Sequence, residues 1–308
     1  MQKWVFLFPG QGSHYVGMGR EFYEDYSEVR ELFQSAGEIL RMDLVKLCFE
    51  GPENELVLTE NVQPAITAVN LACLAVLRLH EIFPVAAAGH SLGEYSALFA
   101  SGVLEFQDVM RLVQWRGRLM HEASLCEPGA MAAIMDFDED RLREICTLCD
   151  VEVANINSPD QIIITGRSEP VDRAMAMSAD SGAKKCVKLN VSGPWHSRCM
   201  ALAKEKFEPH VLQCSFRNPQ IPVVSNVDAL PLQSAEEAPR KLVEQICGSV
   251  LWRQSMEWLI RSGYDHFVEV GPKKVLRGLM RRIDRNVKVM NVEDPESLAA
   301  FLQANRQG

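Results

Sequence analysis

"VAAAGHSLGEYSALFASG", residues 85–102, passes from a short apolar run, through a serine held between two glycines, into a helix-forming segment. "VAAAGH" reads as a strand, and "LGEYSALFASG" continues as a helix ended by Gly102. Ser91 stands at the junction in the pattern G-x-S-x-G, with Gly89 and Gly93 on either side. A serine on a tight strand-to-helix turn is lifted clear of the sheet, and glycines there remove side chains that would clash. The new helix also offers free backbone N–H groups beside the hydroxyl, which suit a developing oxyanion. The competing reading is a serine that merely caps a helix. Strand, turn and helix together favour a nucleophile.

Working outward, Trp4 to Phe8 read as a buried strand stopped by Pro9-Gly10, and "PGQGSHYVGMG" as a glycine-rich turn. Helical periodicity follows from Arg20 to Leu40, and "VQPAITAVNLACLAVLRLHEI" (62–82) predicts a buried helix. The pattern changes near residue 128. "GAMAAIM", "DEDRLREICTLC", "VEVANINSPDQIIITG", "SEPVDRAMAMSADSG" and "AKKCVKLNV" give strand, helix, two strands, helix and strand. That βαββαβ order is ferredoxin-like. Beyond it come a strand over 221–227, a helix through "RQSMEWLIRSG", the strand "HFVEVG" and the helix "KKVLRGLMRRI". The prediction is an α/β chain: a large domain with a parallel sheet (1–127 and 191–308) carrying an inserted ferredoxin-like subdomain (128–190).

Bulk properties narrow the partners. The chain has 308 residues and a net charge of −9, which argues against a broad footprint for nucleic acid. An anionic partner would need a local basic cluster. No stretch reads as long enough for a membrane span, and "MQKWVFLFPG" is too short an apolar run for a signal peptide. A soluble cytoplasmic protein is expected. The nine cysteines lack framework spacing, and the lone pair Cys146 and Cys149 reads as core rather than metal or disulfide.

A nucleophilic serine needs a base. Of seven histidines, His80 and His210 fall in charge-mixed helical contexts, and His90 is poorly placed beside Ser91. His196, in "VSGPWHSRCM", opens a helix after a Gly-Pro break, which makes it the best placed of several. In "DVMRLVQWRGRLMHEA", Gly117 follows Arg116 and would let a ligand or a neighbouring backbone approach. Arginine offers a planar fork that suits a carboxylate. On spacing alone, a solvated helix arginine remains the simpler reading.

The motifs "FPGQGS", "GHSLGEYSAL", "WRGRLM", "NINSP", "VSGPWHS", "SNVDA" and "EVGPKKVLRGL", in this order, resemble the malonyl-CoA:acyl carrier protein transacylases of fatty-acid and polyketide synthesis. The resemblance spans essentially the whole chain and implies an α/β-hydrolase-like large domain with the ferredoxin-like insertion. It implies Ser91 as the acylated nucleophile, His196 as its base, and Arg116 as the grip on the malonyl carboxylate. Backbone N–H groups of Gln11 and Leu92 would form the oxyanion hole. Gln245 would orient the histidine through its main-chain carbonyl, and Trp195, with Leu92, would narrow the acyl pocket. Malonyl-CoA and an acyl carrier protein are the implied partners of a monomer, with no cofactor, metal, nucleic acid or membrane.

Three positions depart from the family pattern: His14, Trp195, and Gly248-Ser249 after the Gln245 position. For an acidic carrier, two basic clusters stand out: Lys184, Lys185 and Lys188, and Lys273, Lys274, Arg277, Arg281 and Arg282. On the closing helix, 274, 277, 281 and 282 are expected to share a face, with Val275, Leu276 and Leu279 turned inward. Two other functions are carried alongside: a hydrolase of the same fold that clears acyl groups from carriers, and a catalytically silent docking subunit.

Overall fold

The computed structural model describes residues 2–306. Its strands are β1 (Val5–Phe8), β2 (Ala86–Gly89), β3 (Gly129–Met135), β4 (Glu152–Ser158), β5 (Gln161–Arg167), β6 (Lys185–Lys188), β7 (Val223–Val224), β8 (His266–Val270) and β9 (Lys288–Val292). Five form a parallel sheet in the order β7-β2-β1-β8-β9. The two faces of β1 feed two cores. Phe6 and Phe8 pack with the helices Thr59–Leu79 and Phe106–Cys126, while Val5 and Leu7 pack with Trp252, Met256, Leu276 and Met280. Apolar side chains on both faces are what a covered parallel sheet requires.

The remaining strands form an antiparallel sheet in the order β4-β5-β3-β6. With the helices Glu139–Cys149 and Ser168–Asp180 between strands, this is the ferredoxin-like arrangement. The helices cover one face, where Ala130, Ala132, Ile134, Ile162 and Ile164 meet Cys146 and Cys149. The other face turns Met131, Ala133 and Ile163 toward the large domain. Backbone bonds Ile156 N–H to Val250 O (3.0 Å) and Val250 N–H to Ala154 O (2.8 Å) tie β4 to the loop before the helix Trp252–Arg261.

Several sequence expectations need correction. The helix expected over Arg20–Leu40 breaks at Tyr26, which is extended, into Arg20–Asp25 and Ser27–Leu40. The strand expected over 221–227 keeps only Val223–Val224, because the chain turns back after it, with Ser225 N–H bonding Leu230 O, and Asn226 leaves the sheet to hold the turn at Ser91. Thr59–Leu79 is, by length and apolarity, capable of crossing a membrane, contrary to the sequence reading. Most of it is buried inside the fold, which accounts for its apolar length. Finally, β9 and the helix Pro295–Arg306 extend the large domain beyond the last element foreseen.

Candidate active site

The parallel strands β1 and β2 end side by side, so the loop after Phe8 and the turn after Gly89 share one edge of the sheet. Ligand sites of open α/β sheets lie at this carboxyl edge. Ser91 sits there with φ of +50°, a left-handed conformation that costs an L-residue about 1–2 kcal/mol. The flanking glycines are sterically required. A Cβ on Gly89 would lie 1.9 Å from the Gly93 carbonyl carbon, and one on Gly93 would lie 2.0 Å from the Phe8 oxygen. Gly10 is equally tight, since its Cβ would come within 2.4 Å of the His90 oxygen.

Asn226 holds the strained turn. Its Oδ1 accepts the Ser91 N–H at 2.7 Å, and its Nδ2 donates to Gly89 O at 2.7 Å. The main-chain N–H groups of Gln11 and Leu92 have no acceptor among the described residues. The Gln11 side chain instead donates to Thr59 Oγ1 at 3.3 Å. Two free donors therefore flank the serine, on the loop and on the first turn before the helix Gly93–Ala100.

His196 Nε2 is 2.8 Å from Ser91 Oγ. Its Nδ1 faces two carbonyl oxygens, Gln245 O at 2.9 Å and Gly248 O at 3.1 Å. Carbonyls only accept, so Nδ1 carries the proton and Nε2 is left to accept from the serine hydroxyl. The residue is held in place by a turn with φ of +61°, locked by Ser197 Oγ donating to Pro194 O at 2.6 Å. Burial, and then the charge of Arg116, push the imidazole down to about 3, so the ring is neutral at rest.

Arg116 is 1% exposed. A Cβ on Gly117 would lie 2.7 Å from Thr59 O, so it is a neighbouring backbone that this glycine admits. The close crossing of the two helices brings Arg116 Nη1 within 2.9 Å of Gln63 Oε1. Nη2 donates to Ser91 Oγ at 3.0 Å and to Gln245 Oε1 at 2.9 Å. Its Nε has no acceptor among the described residues, and the guanidinium lies over the Tyr95 ring, 5.7 Å from its centroid. A cation with no carboxylate in contact thus stands against the Ser91 hydroxyl.

Glu94 is buried behind this group. It accepts from Gln245 Nε2 and from the Asn226 N–H, the latter at 3.3 Å. Burial pushes its carboxyl up to about 7, while those bonds and Arg116 pull it down. The whole constellation opens into a cleft of about 270 Å³ between the two sheets. Trp195, Met120, Met131 and Ile163 line it, with Asn155, Asn157 and Gln161 as its polar wall. His90 leans toward that wall, its Nε2 2.8 Å from Asn157 Oδ1, away from the serine.

The site thus brings together Ser91, His196, Arg116, Gln11, Leu92, Trp195 and Gln245. Gly248, one of the departures from the family pattern, contributes its carbonyl to His196, and Ser249 Oγ donates to Val153 O. His14 lies apart from the cleft lining; burial and Lys273 lower its basicity. Val275, expected to turn inward, is 43% exposed and lines the cleft with Leu276 and Leu279. Arg277 does not join an exposed basic face, because it is half-buried with Nη1 on Asn291 Oδ1. Lys184 pairs with Asp136, Lys188 with Asp172 and Arg282 with Asp160, whereas Lys185 and Arg281 are exposed with no carboxylate partner among the described residues.

Sequence reasoning missed Gln63, Glu94 and Asn226. A glutamine inside the apolar run "VQPAITAV" was a usable signal. The other two sit in quoted motifs but carry no pattern of their own.

A nucleophile elbow, a carbonyl-held histidine and a buried arginine define an acyl-transferring enzyme on an α/β fold. The chain belongs to the acyl transferase domain family, which it matches over residues 5–305. It is 40% identical to the malonyl CoA-acyl carrier protein transacylase of Bacillus subtilis, over 100% of this chain and 98% of that protein. Among solved structures it resembles the Clostridium perfringens malonyl CoA-acyl carrier protein transacylase (TM-score 0.95, 38% identity, 99% and 98% covered). It equally resembles a malonyl-transacylase solved in complex with its type II polyketide-synthase acyl-carrier protein (TM-score 0.95, 37% identity, 98% and 100% covered).

Proposed function

We infer that the protein transfers the malonyl group of malonyl-CoA to the phosphopantetheine thiol of an acyl carrier protein, in fatty-acid or polyketide synthesis. The observation that carries this reading is the buried Arg116 guanidinium, 3.0 Å from Ser91 Oγ with only neutral oxygens around it. A buried cation with no anion in contact is costly, and Glu94, separated from it by the Gln245 amide, offsets that cost only in part. The distal carboxylate of a malonyl group supplies that anion while its thioester carbon reaches the serine.

In the first half-reaction His196 Nε2 takes the Ser91 proton as Oγ attacks the thioester carbonyl. The N–H groups of Gln11 and Leu92 meet the oxyanion. The C–S bond breaks, and the CoA sulfur leaves with the proton from His196. In the second, His196 accepts the carrier thiol's proton, the thiolate attacks malonyl-Ser91, and the C–O bond breaks as His196 returns the proton to Ser91 Oγ. This is two-step covalent catalysis. Trp195, which lines the cleft, limits the width of the acyl group, whereas the Leu92 side chain is buried in the core. Residues 128–190 act as a subdomain closing the cleft over the large domain. Ser91, His196, Arg116 and Gln245 meet within a single chain, so the reaction needs no residue from a second copy. Lys184, Lys185, Arg281 and Arg282 serve the acidic carrier, drawn by charge.

The test is transfer to holo carrier protein by wild type and Arg116→Ala. Wild type should load malonyl in preference to acetyl, and the variant should lose about 100-fold or more in malonyl transfer while gaining relative activity toward acetyl. Release of free malonate without carrier loading would identify the hydrolase instead. An Arg116→Ala variant that transfers malonyl like wild type would place the carboxylate elsewhere.

A further inference from the structure

Two buried charges of opposite sign lie close to Ser91 without touching. Arg116 binds the neutral oxygens of Gln63, Ser91 and Gln245. Glu94, 2% exposed and only three residues after the nucleophile, binds Gln245 Nε2 and the Asn226 N–H. The carboxamide of Gln245 stands between them. Its Oε1 accepts from Arg116 at 2.9 Å, and its Nε2 donates to Glu94 and, at 3.1 Å, to Ser91 O. The main-chain oxygen of the same residue receives the His196 Nδ1–H at 2.9 Å.

A carboxylate accepts hydrogen bonds and does not donate them. The Glu94 carboxyl, pushed up to about 7, is ionised at pH 8, where it requires the NH₂ end of Gln245 and leaves the oxygen end for the guanidinium. With the amide reversed, NH₂ would face Arg116, donor against donor, and oxygen would face carboxylate. Glu94 also supplies compensating negative charge at one remove. A direct Glu94–Arg116 ion pair would compete with an incoming carboxylate, whereas a pair separated by an amide leaves the guanidinium open on the Ser91 side.

We propose that Glu94 is a positioning residue for acyl selection: through the Gln245 carboxamide it orients Arg116 toward the substrate carboxylate while leaving that cation without a direct ionic partner. The proposal rests on the malonyl-transfer reading. It assigns Glu94 no contact with substrate, and its effect on the reaction passes through Gln245 and is read in acyl selectivity more than in serine reactivity.

The experiment measures Ser91 acylation by malonyl-CoA and by acetyl-CoA at pH 8, in wild type, Glu94→Gln, Gln245→Met and the double variant. End-point acetylation of Ser91 normalises each preparation to its folded, active fraction. The malonyl-to-acetyl ratio of kcat/KM should fall about tenfold in Glu94→Gln, with the malonyl KM rising. In the Gln245→Met background the same change should shift the ratio by less than about twofold, because the connecting amide is gone. Should Glu94→Gln fail to fold, Glu94→Asp keeps the charge but draws it back from Gln245, and its selectivity should fall too. An unchanged ratio in Glu94→Gln or Glu94→Asp, equal losses for both acyl groups, or full additivity with Gln245→Met would overturn the proposal. A wild type that does not prefer malonyl would overturn the functional reading itself, so the two failures are distinct.

Discussion

His196 Nδ1 lies 2.9 Å from the main-chain oxygen of Gln245, where a carboxylate partner would give the imidazole a full countercharge. A second carbonyl, from Gly248, stands at 3.1 Å. Two dipoles fix the tautomer and orientation of the ring but stabilise an imidazolium less than an ionised acid does. With Arg116 adding positive charge nearby, the base rests neutral.

That arrangement has a pH signature. Protonation of His196 is pushed from the usual 6.5 down to about 3, with burial as the main cause and Arg116 next. Ser91 acylation by acetyl-CoA, which has no carboxylate to neutralise the arginine, should therefore show no histidine limb near pH 6.5. Arg116→Ala removes one cause of the lowering, so its acid limb should move to higher pH than that of wild type. Identical limbs in the two proteins would contradict this electrostatic account. Below pH 6.5 the unfolded chain takes up a proton that the folded site refuses, so stability from this group is lost as pH falls from 6.5 toward 3.

Asn226 is expected to matter to both folding and rate. Asn226→Ala leaves the Ser91 N–H and Gly89 O unpaired beneath a residue at φ of +50°. The loss should be about 1–3 kcal/mol in a denaturant melt, with slower Ser91 acylation at unchanged substrate preference. Asn226→Asp should not rescue it, since a second carboxylate oxygen would face Gly89 O. Full stability and rate in Asn226→Ala would show that the turn holds itself.

Carrier encounter can be separated from chemistry by charge reversal at the surface. Lys185 is exposed and carries no ion pair among the described residues, and Arg282 is paired only at the surface, with Asp160 at 3.4 Å. Reversing both, Lys185→Glu with Arg282→Glu, should slow transfer to an acidic carrier about tenfold at low ionic strength, with the defect shrinking in salt. Self-acylation from malonyl-CoA should suffer less. Equal transfer by variant and wild type at low salt would direct the carrier to another face.

The sequence reveals most where backbone geometry restricts residue choice. Gly10, Gly89 and Gly93 are forced by contacts of 2.4 Å or less, and such tight turns leave a readable pattern. Short apolar runs likewise exposed β1, β2 and β8. Functions carried by main-chain atoms leave no such trace: the Gln245 and Gly248 carbonyls could be supplied by many residue types, and only the family resemblance pointed to the first. Glu94 and Asn226 were hidden for a different reason. Polar residues in a helix and a loop look like surface until tertiary contacts bury them. The two-residue β7 and the exposed Val275 show the same limit, since their environments are set by parts of the chain distant in sequence.

The central claim is that Ser91 itself carries the malonyl group between donor and carrier. Its most direct test is mass spectrometry of the protein after brief incubation with malonyl-CoA, followed by peptide mapping, in wild type and Ser91→Ala. The account predicts one malonyl group on Ser91 in wild type, its loss on adding holo carrier protein, and no malonyl adduct in Ser91→Ala. An unlabelled wild type, or a malonyl group that persists on another residue in Ser91→Ala, would contradict it.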